Sequence, residues 1–243
     1  MLRRREQIDA AHRRLVDRGL MPRAAGGLER IAQRAGDAAR RVTGAPHLRP
    51  DPIKAWDVEL ALAAIEARIG FDDPVLDMGS VGCPILPALH ALGYRELHGV
   101  DLDPSVTRMP AGDAIDYSVQ DMTKTRFGDA SFAAITSMSV IEHGLDADAL
   151  LTEVARLLRP GGVFLFSTDY WPEKIDTSGV RLFDMSWTIF SADEIGELLD
   201  DAQGHGLTAP VDLAALHDVD ERPIDFADRQ YTFLFGALTC PAR

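Results

Sequence analysis

Val75-Leu76-Asp77-Met78-Gly79-Ser80-Val81-Gly82-Cys83 decides how the chain is read. A short apolar run ends in an acid, and glycines follow at once. Such a run, closed by a glycine turn, reads as a buried strand handing over to a helix. The helix is expected over Ile85–Leu92. Outward from here the alternation repeats. Leu97–Leu102 is a second strand, with Asp101 near its end. Tyr117–Gln120 is a third, followed by Asp121, and Phe132–Met138 a fourth. Ala149–Leu158 has Leu150, Val154, Leu157 and Leu158 on one side of a helix, and Gly161-Gly162 then turns into a fifth strand, Val163–Ser167. Strands apolar on both faces, alternating with helices, belong to a parallel sheet covered by helices. The expected class is α/β, a doubly wound, mostly parallel seven-stranded sheet. Its ligand crevice lies at the carboxyl ends of the strands.

Strands near Val211–Leu216 and Tyr231–Thr239 are expected to finish the sheet. Between them and strand five, Asp169–Ile189 is irregular and too long for a simple connection, so an active-site lid is expected near 169–190. Ser191-Ala192-Asp193-Glu194 matches a capping box that opens a helix to about Leu199. Upstream, Asp57–Ile69 carries Val58, Leu62, Ile65 and Ile69 at helical spacing. Residues 1–55 read as an Arg-rich helical extension, broken by Gly19, Pro22 and Gly26-Gly27. Residues 56–243 read as the main domain.

The 243 residues carry 46% hydrophobic and 26% charged side chains, which excludes wholesale disorder and fibrous classes. No apolar run spans a membrane. The start, Met-Leu-Arg-Arg-Arg, lacks the apolar stretch of a secretory signal. Cys83 and Cys240 make neither a disulfide framework nor a four-ligand zinc site, so a reduced, cytoplasmic chain is expected. Residues 1–50 hold twelve arginines against five acids, net +7; the remainder holds 13 basic and 33 acidic residues, net −20. So acidic a body repels a phosphate backbone, and neither nucleic acid nor membrane is expected as a partner. The basic head is read as packing on the acidic body or as a solvated helical face. Covering an anionic substrate is a further role for it.

In a doubly wound sheet the strand ends line one crevice. Asp77, Gly79 and Gly82 end strand one, Asp101 strand two, Asp121-Met122 strand three, and Ser137-Met138 strand four, with Glu142-His143 beyond. Glycines let backbone approach a ligand closely. Asp101, 22 residues past Gly79, is placed to accept both hydroxyls of a ribose. Asp121 is read as accepting from an exocyclic amine while the Met122 amide donates to a ring nitrogen, a pairing that reads adenine. A dinucleotide needs Gly-x-Gly-x-x-Gly on a helix N-terminus, and this loop lacks that spacing. An acid at position 77 suits a ligand with an ammonium group, as on the aminoacyl tail of S-adenosylmethionine (SAM). Lid acids give no spacing that supports a metal site.

These residues carry a resemblance. Val-Leu-Asp77-Met-Gly79-Ser-Val-Gly82-Cys83 resembles the first motif of class I SAM-dependent methyltransferases, and His-Gly-Val-Asp101-Leu-Asp-Pro104 their second. Gln-Asp121-Met122 is similar to the adenine-binding acid, Ser137-Met138-Ser-Val-Ile-Glu142-His143 to the fourth-strand motif, and Leu157-Leu-Arg-Pro160-Gly161-Gly162 to the turn before strand five. The likeness covers about residues 70–170, in the family's order, and is nearest to small-molecule, type 11-like domains. It implies SAM as cofactor, held by Asp77, Gly79, Ser80, Gly82, Asp101, Leu102, Asp121, Met122, Ser137 and Met138. The loop departs from the family's Asp-x-Gly-x-Gly-x-Gly: Val81 and Cys83 stand where glycines are usual.

Methyl transfer needs a nucleophile held in line with the C–S bond and water kept out. Base candidates are His143, Asp169 and Tyr170, after strands four and five. The expected activity is transfer to a small molecule at a hydroxyl oxygen. Transfer to nitrogen or carbon and the oligomeric state stay open. The other reading is a non-catalytic module of the same fold that acts through a protein partner.

Overall fold

The structure is a computed structural model. It describes residues 1–23, 52–182, 185–209 and 213–242. Seven strands form one sheet: β1 (Val75–Met78), β2 (Leu97–Asp101), β3 (Asp116–Val119), β4 (Phe132–Met138), β5 (Leu158–Tyr170), and, after a two-stranded lid hairpin β6 (Arg181–Leu182) and β7 (Met185–Ser186), β8 (Ile224–Phe226) and β9 (Arg229–Thr239). The order is β3-β2-β1-β4-β5-β9-β8. β1 to β5 run parallel, while β9 is antiparallel to both β5 and β8. This is the doubly wound, mostly parallel seven-stranded sheet expected from the alternation, with strand order reversing at β1 and β4.

Five helices are described: α1 (Arg5–Asp17), α2 (Ala55–Glu66), α3 (Ile85–Ala91), α4 (Ala147–Leu157) and α5 (Ala192–Gly204). α5 starts at the capping box read in the sequence: the Glu194 amide donates to Ser191 Oγ at 3.2 Å, and the Ser191 amide donates to Glu194 at 2.8 Å. Phe164 and Phe166 of β5 face α4 and α5 around a small apolar gap. Leu165, Ser167 and Asp169 alternate to the opposite face, where α2 packs.

Three details depart from expectation. The fifth strand begins at Leu158, ahead of the glycine pair, and its pairing with β4 shifts register there. Pro160-Gly161-Gly162 is thus a bulge inside a strand. The strand expected near Val211–Leu216 is a short 3₁₀ turn over Leu213–His217, with 211 and 212 outside the described residues. The seventh strand is instead β8, a hairpin partner of β9.

The chain's start helps to close the sheet. The Leu2 amide donates to the Phe233 carbonyl at 2.9 Å, so it covers the β9 edge between β8 and the Thr208–Thr239 bridge. α1 buries Ile8, Ala11 and Leu15. Its arginines meet acids of the body: Arg14 with Glu59, Arg18 with Glu66, and Arg3 with Asp218 at 2.6 Å. Of the two readings of the basic head, residues 1–23 show packing on the acidic body; the rest of the head lies outside the described residues. Arg40 and Arg41, which bear on a substrate-covering role, lie outside the described residues. Among the described residues no helix is long and apolar enough to cross a membrane.

Candidate active site

Asp77, Gly99 and Tyr117 stand in register across β1, β2 and β3, and Asp77 pairs with Thr136 of β4. Their side chains share one face. Gly99 makes room: a Cβ there would lie 2.6 Å from the Tyr117 ring. Asp77 is only 1% exposed. Thr136 Oγ1 donates to its Oδ1 at 2.6 Å, Ser80 Oγ donates to its Oδ2 at 3.0 Å, and the Cys83 thiol donates as well. Burial pushes this carboxyl up, and the three donors pull it back. These donors tie the acid to the loop that follows it and to β4. Cys83 thus does what a glycine cannot. It adds a donor beneath the loop, with its thiol pushed well up by burial.

The loop turns through two left-handed residues, Gly79 at φ +84° and Gly82 at φ +76°. A Cβ on Gly79 would lie 2.5 Å from Val140 Cγ2, so the fourth-strand loop rests directly on this glycine. The Val81 amide donates to Asp101 Oδ2 at 3.0 Å, and the Asp103 amide to Oδ1 at 2.9 Å. Asp101 therefore joins the strand-one loop to the strand-two end. Beside it Leu102 is 60% exposed, and Val119 at the end of β3 is 40% exposed. Such apolar surface at strand ends is what a nucleoside face would cover. Asp121 is exposed and closes its own turn, accepting from the Thr123 amide at 2.9 Å and its hydroxyl at 2.7 Å. Met122 and Met138 are nearly buried. Ser137 is fully buried, and its hydroxyl has no hydrogen-bond partner among the described residues.

The base candidates separate. Asp169 and Tyr170 are neighbours on a strand and so face opposite ways. Tyr170 has no exposed surface, and its hydroxyl donates to the Leu216 carbonyl at 2.6 Å. It belongs to the α5 side and does not reach the crevice, which corrects its reading as a base. Asp169 faces the other side. Trp187 Nε1 donates to its Oδ2 at 2.7 Å, and the Tyr231 hydroxyl donates too. Burial raises this carboxyl to about 6 against the pull of Lys54 and the two donors. Glu142 is buried, accepts from Thr168 Oγ1 at 3.3 Å, and is pushed well up by burial and by Asp169. His143 is lowered to about 4 by burial and by Lys54, so it is neutral at pH 7.

The segment expected as a lid packs against β8, β9 and α5. Trp187 is 2% exposed and meets Phe226 and Tyr231 edge-on. Thr177 Oγ1 donates to the Trp187 carbonyl at 2.6 Å, Arg229 donates to the Asp176 carbonyl at 2.8 Å, and Lys174 pairs with Glu194 at 2.7 Å. Among the described residues no His, Cys, Asp and Glu side chains cluster to hold a metal ion.

Residues 76–166 match the family profile described as "Methyltransferase domain". Over this segment the chain is similar to methyltransferase domains. The chain is 33% identical, over 127 residues, to "Ubiquinone biosynthesis O-methyltransferase" of Xanthomonas axonopodis pv. citri (strain 306); the match covers 49% of each chain. The chain thus spans about half the length of the curated relatives it matches. Solved structures share the fold. An S-adenosylmethionine dependent methyltransferase from Mesorhizobium loti is 20% identical with TM-score 0.53, over 76% of this chain and 97% of the other. The [4+2]-cyclase SpnF is 17% identical with TM-score 0.57, over 78% and 82%.

Lys54 and Asp57, at the start of α2, were not singled out in the sequence. A signal existed for Asp57: it stands in helical phase with Ala61 and Ile65, both fully buried, so it is an acid on an apolar stripe. No local pattern marks Lys54.

Proposed function

We propose that the chain binds SAM at the carboxyl ends of β1 to β4 and methylates a small-molecule acceptor at a hydroxyl oxygen. The observation that carries the reading is the pairing of Asp101 with the exposed Leu102 at the end of β2, one step from the Gly79 turn. A carboxylate beside bare apolar surface suits a nucleoside, whose sugar donates hydrogen bonds and whose base stacks. Asp101 would hold the ribose, and Leu102 with Met122 would meet the base. Asp121 keeps Oδ2 for an exocyclic amine, since Thr123 occupies Oδ1. SAM supplies, when bound, a methyl group made electrophilic by its sulfonium.

The rest falls to the chain. Trp187 and the lid keep water from the end of β5, and Tyr231 and Trp187 fix Asp169. Asp169, near 6, and His143, near 4, both stand in their proton-accepting forms at pH 7. Either takes a hydroxyl proton as the acceptor oxygen attacks, and Asp169 is the stronger base. The small-molecule and oxygen assignments draw support from the printed names of the Xanthomonas relatives. Both cysteines are free, which suits the reduced cytoplasm.

Calorimetry with SAM tests the reading, together with transfer of labelled methyl from SAM to a small-molecule extract. We expect binding by the wild type, and for Asp101→Ala a loss of about 10- to 100-fold in affinity, the worth of one or two charge-assisted hydrogen bonds. A wild type that binds neither SAM nor S-adenosylhomocysteine would return the chain to the non-catalytic reading. Cys83 in place of a loop glycine favours that second reading, and the cyclase of the same fold keeps it in view.

A further inference from the structure

A cavity of about 240 Å³ lies behind the sheet, on the face that α5 covers. Its walls are Phe166 of β5, Leu234 of β9, Ile195 and Leu199 of α5, and Leu216 of the 3₁₀ turn. Gly236 keeps the floor low: a Cβ there would lie 2.3 Å from the Phe166 ring, so β9 sends no side chain up at its middle. The volume falls between the ~150 Å³ that holds a benzene and the ~300 Å³ at which sites for drug-sized molecules begin. Water needs two to four polar partners to settle, and these side chains offer it none. A void of this size forfeits contacts that an apolar molecule would restore.

One side of the cavity is polar backbone. The outer edge of β9 receives Leu2 at Phe233 and bridges to Thr208 at Thr239. Backbone groups alternate from edge to edge along a strand, so those of Phe235 and Ala237 point the same way as those of Phe233 and Thr239. Both residues line the cavity. Among the described residues, no strand or loop pairs with the edge between Phe233 and Thr239. The edge therefore presents hydrogen-bonding groups beside an apolar space, as sites that orient a small molecule do.

Arg3 sets the sign of the charge that fits. It is the single charged side chain among the described residues that line the cavity. Its Nη2 donates to Asp218 at 2.6 Å, and about half of the side chain, 52%, is exposed. A guanidinium carries five donors in a planar fork. Nε and Nη1 have no partner among the described residues, so Arg3 can hold Asp218 and a second carboxylate together. The Arg3–Asp218 pair is solvated and worth little, which leaves Arg3 free to shift toward a ligand.

We infer that this cavity is a second ligand site, which takes an amphiphilic monoanion: an apolar chain or ring of roughly ten non-hydrogen atoms, somewhat larger than benzene, ending in a carboxylate. The apolar part lies among Phe166, Leu199 and Leu234, and the carboxylate meets Arg3 at the mouth. The site stands apart from the crevice, because Phe166 and Asp169 of β5 face opposite ways. Its wall still touches the end of β5 from behind, where the Leu216 carbonyl accepts from Tyr170 at 2.6 Å. The inference does not depend on the reading that the chain binds SAM.

Octanoate, 1-octanol and acetate separate the contributions: the first two share the chain, the first and third the charge. In calorimetry on the full chain, octanoate should bind about fivefold or more tighter than 1-octanol, and acetate should show no binding. Leu199→Trp, which fills the cavity from a half-buried position, should weaken octanoate by about tenfold or more. Arg3→Gln should leave 1-octanol within about twofold and bring octanoate down to it. Urea unfolding certifies the fold of each variant, and Ala215→Phe, on the exposed turn across the cavity, replaces Leu199→Trp if that chain does not fold. Saturation with S-adenosylhomocysteine should leave octanoate affinity within about twofold. The inference is overturned if octanoate does not bind, if the filling variants leave its affinity unchanged, or if 1-octanol binds as tightly. Competition with S-adenosylhomocysteine would place octanoate in the crevice and overturn it too. A chain that binds octanoate in this pattern but no SAM supports the second site and overturns the proposed function, a distinct result.

Discussion

The glycine-turn end of the crevice and the lid end are built from different materials. Around Gly79 the site is mostly backbone: two left-handed glycines, an amide given to Asp101, and an acid folded beneath its own loop. At the end of β5 the site is mostly side chain. Asp169, Trp187 and Tyr231 come from β5, the lid and β9, with Lys54 and Asp57 from the far side of the sequence. The first end is set by residues close in sequence. The second forms only when four distant segments meet. A backbone site offers the same geometry to every substrate, and a side-chain site is where specificity can vary. We therefore expect changes at the first end to act on cofactor binding, and changes at the second to act on acceptor and proton.

The largest effect that separates the two ends is Gly79→Ala. An L residue in the left-handed region costs about 1–2 kcal/mol, and the added methyl meets Val140 at 2.5 Å. Overpacking of this kind costs about 1–3 kcal/mol. Chemical denaturation should show a loss of about 2–5 kcal/mol, with SAM affinity falling in parallel. Adding Val140→Ala should restore the steric part and none of the backbone part. Full recovery in the double variant would mean that the turn does not need its glycine conformation.

At the other end, Trp187→Phe keeps an aromatic cover and removes one donor. A buried carboxylate then lacks a hydrogen bond, a loss of about 1–3 kcal/mol. Asp169 should titrate above its value of about 6, since the lost donor favoured the ionised form. On the proposed function, methyl transfer slows while SAM affinity holds. A fall in SAM affinity as large as that of Gly79→Ala would erase the distinction between the ends.

The same contrast explains what could be read in advance. The order of β1 to β5 and the acids at their ends are written in short local runs, so Phe132–Met138 is found at its observed bounds. The far half depends on contacts that no window contains. Leu213-Ala214-Ala215-Leu216 is an apolar run, and periodicity cannot tell a buried strand from a helical turn at that length. The Leu216 carbonyl of this turn accepts from the Tyr170 hydroxyl, a partner 46 residues away that no local window contains. Nor does sequence reveal that Leu2 covers the edge of β9. Within the site, Asp77 shows the limit most plainly. Its position at a strand end was legible, but the donors that turn it inward, Thr136 and Cys83, depend on register and on a loop that departs from the usual glycines.

A titration sharpens the comparison within the lid end. Burial holds Asp169 near 6, so between about pH 4 and 6 the folded chain keeps a proton that the unfolded chain has released. Stability from this group falls as pH rises through that window. Glu142, also raised, acts in the same direction. His143 does the opposite. It is held near 4, so below about 6.5 the unfolded chain binds a proton that the folded chain refuses, and stability falls as pH drops. The two slopes oppose each other in the wild type. Relative to the wild type, Asp169→Asn should tilt the stability profile downward on acidification from about pH 6.5 toward 4, and His143→Gln should tilt it upward over the same range. Each change in slope is at most about 1.4 kcal/mol per pH unit, the value for one proton. Parallel profiles for the two variants would show that the groups do not titrate in opposite senses.

The smallest expected effect tests whether the basic head belongs to either end. Arg14 grips Glu59 with two bonds, at 2.5 and 2.6 Å, and Arg18 meets Glu66 at 2.5 Å. Such contacts dominate the head's appearance, yet the arginines are partly solvated and the pairs are screened. Arg14→Ala should cost only about 0.2–1 kcal/mol, less as salt rises, and leave SAM affinity unchanged. The docking of α1 then rests on Ile8, Ala11 and Leu15, which are buried against the body. A larger loss from Arg14→Ala, or one that carries over to SAM binding, would mean that the head's charge reaches the crevice through α2, whose first turn holds Lys54 and Asp57. In that case, the boundary between extension and site would have to be redrawn ahead of α2.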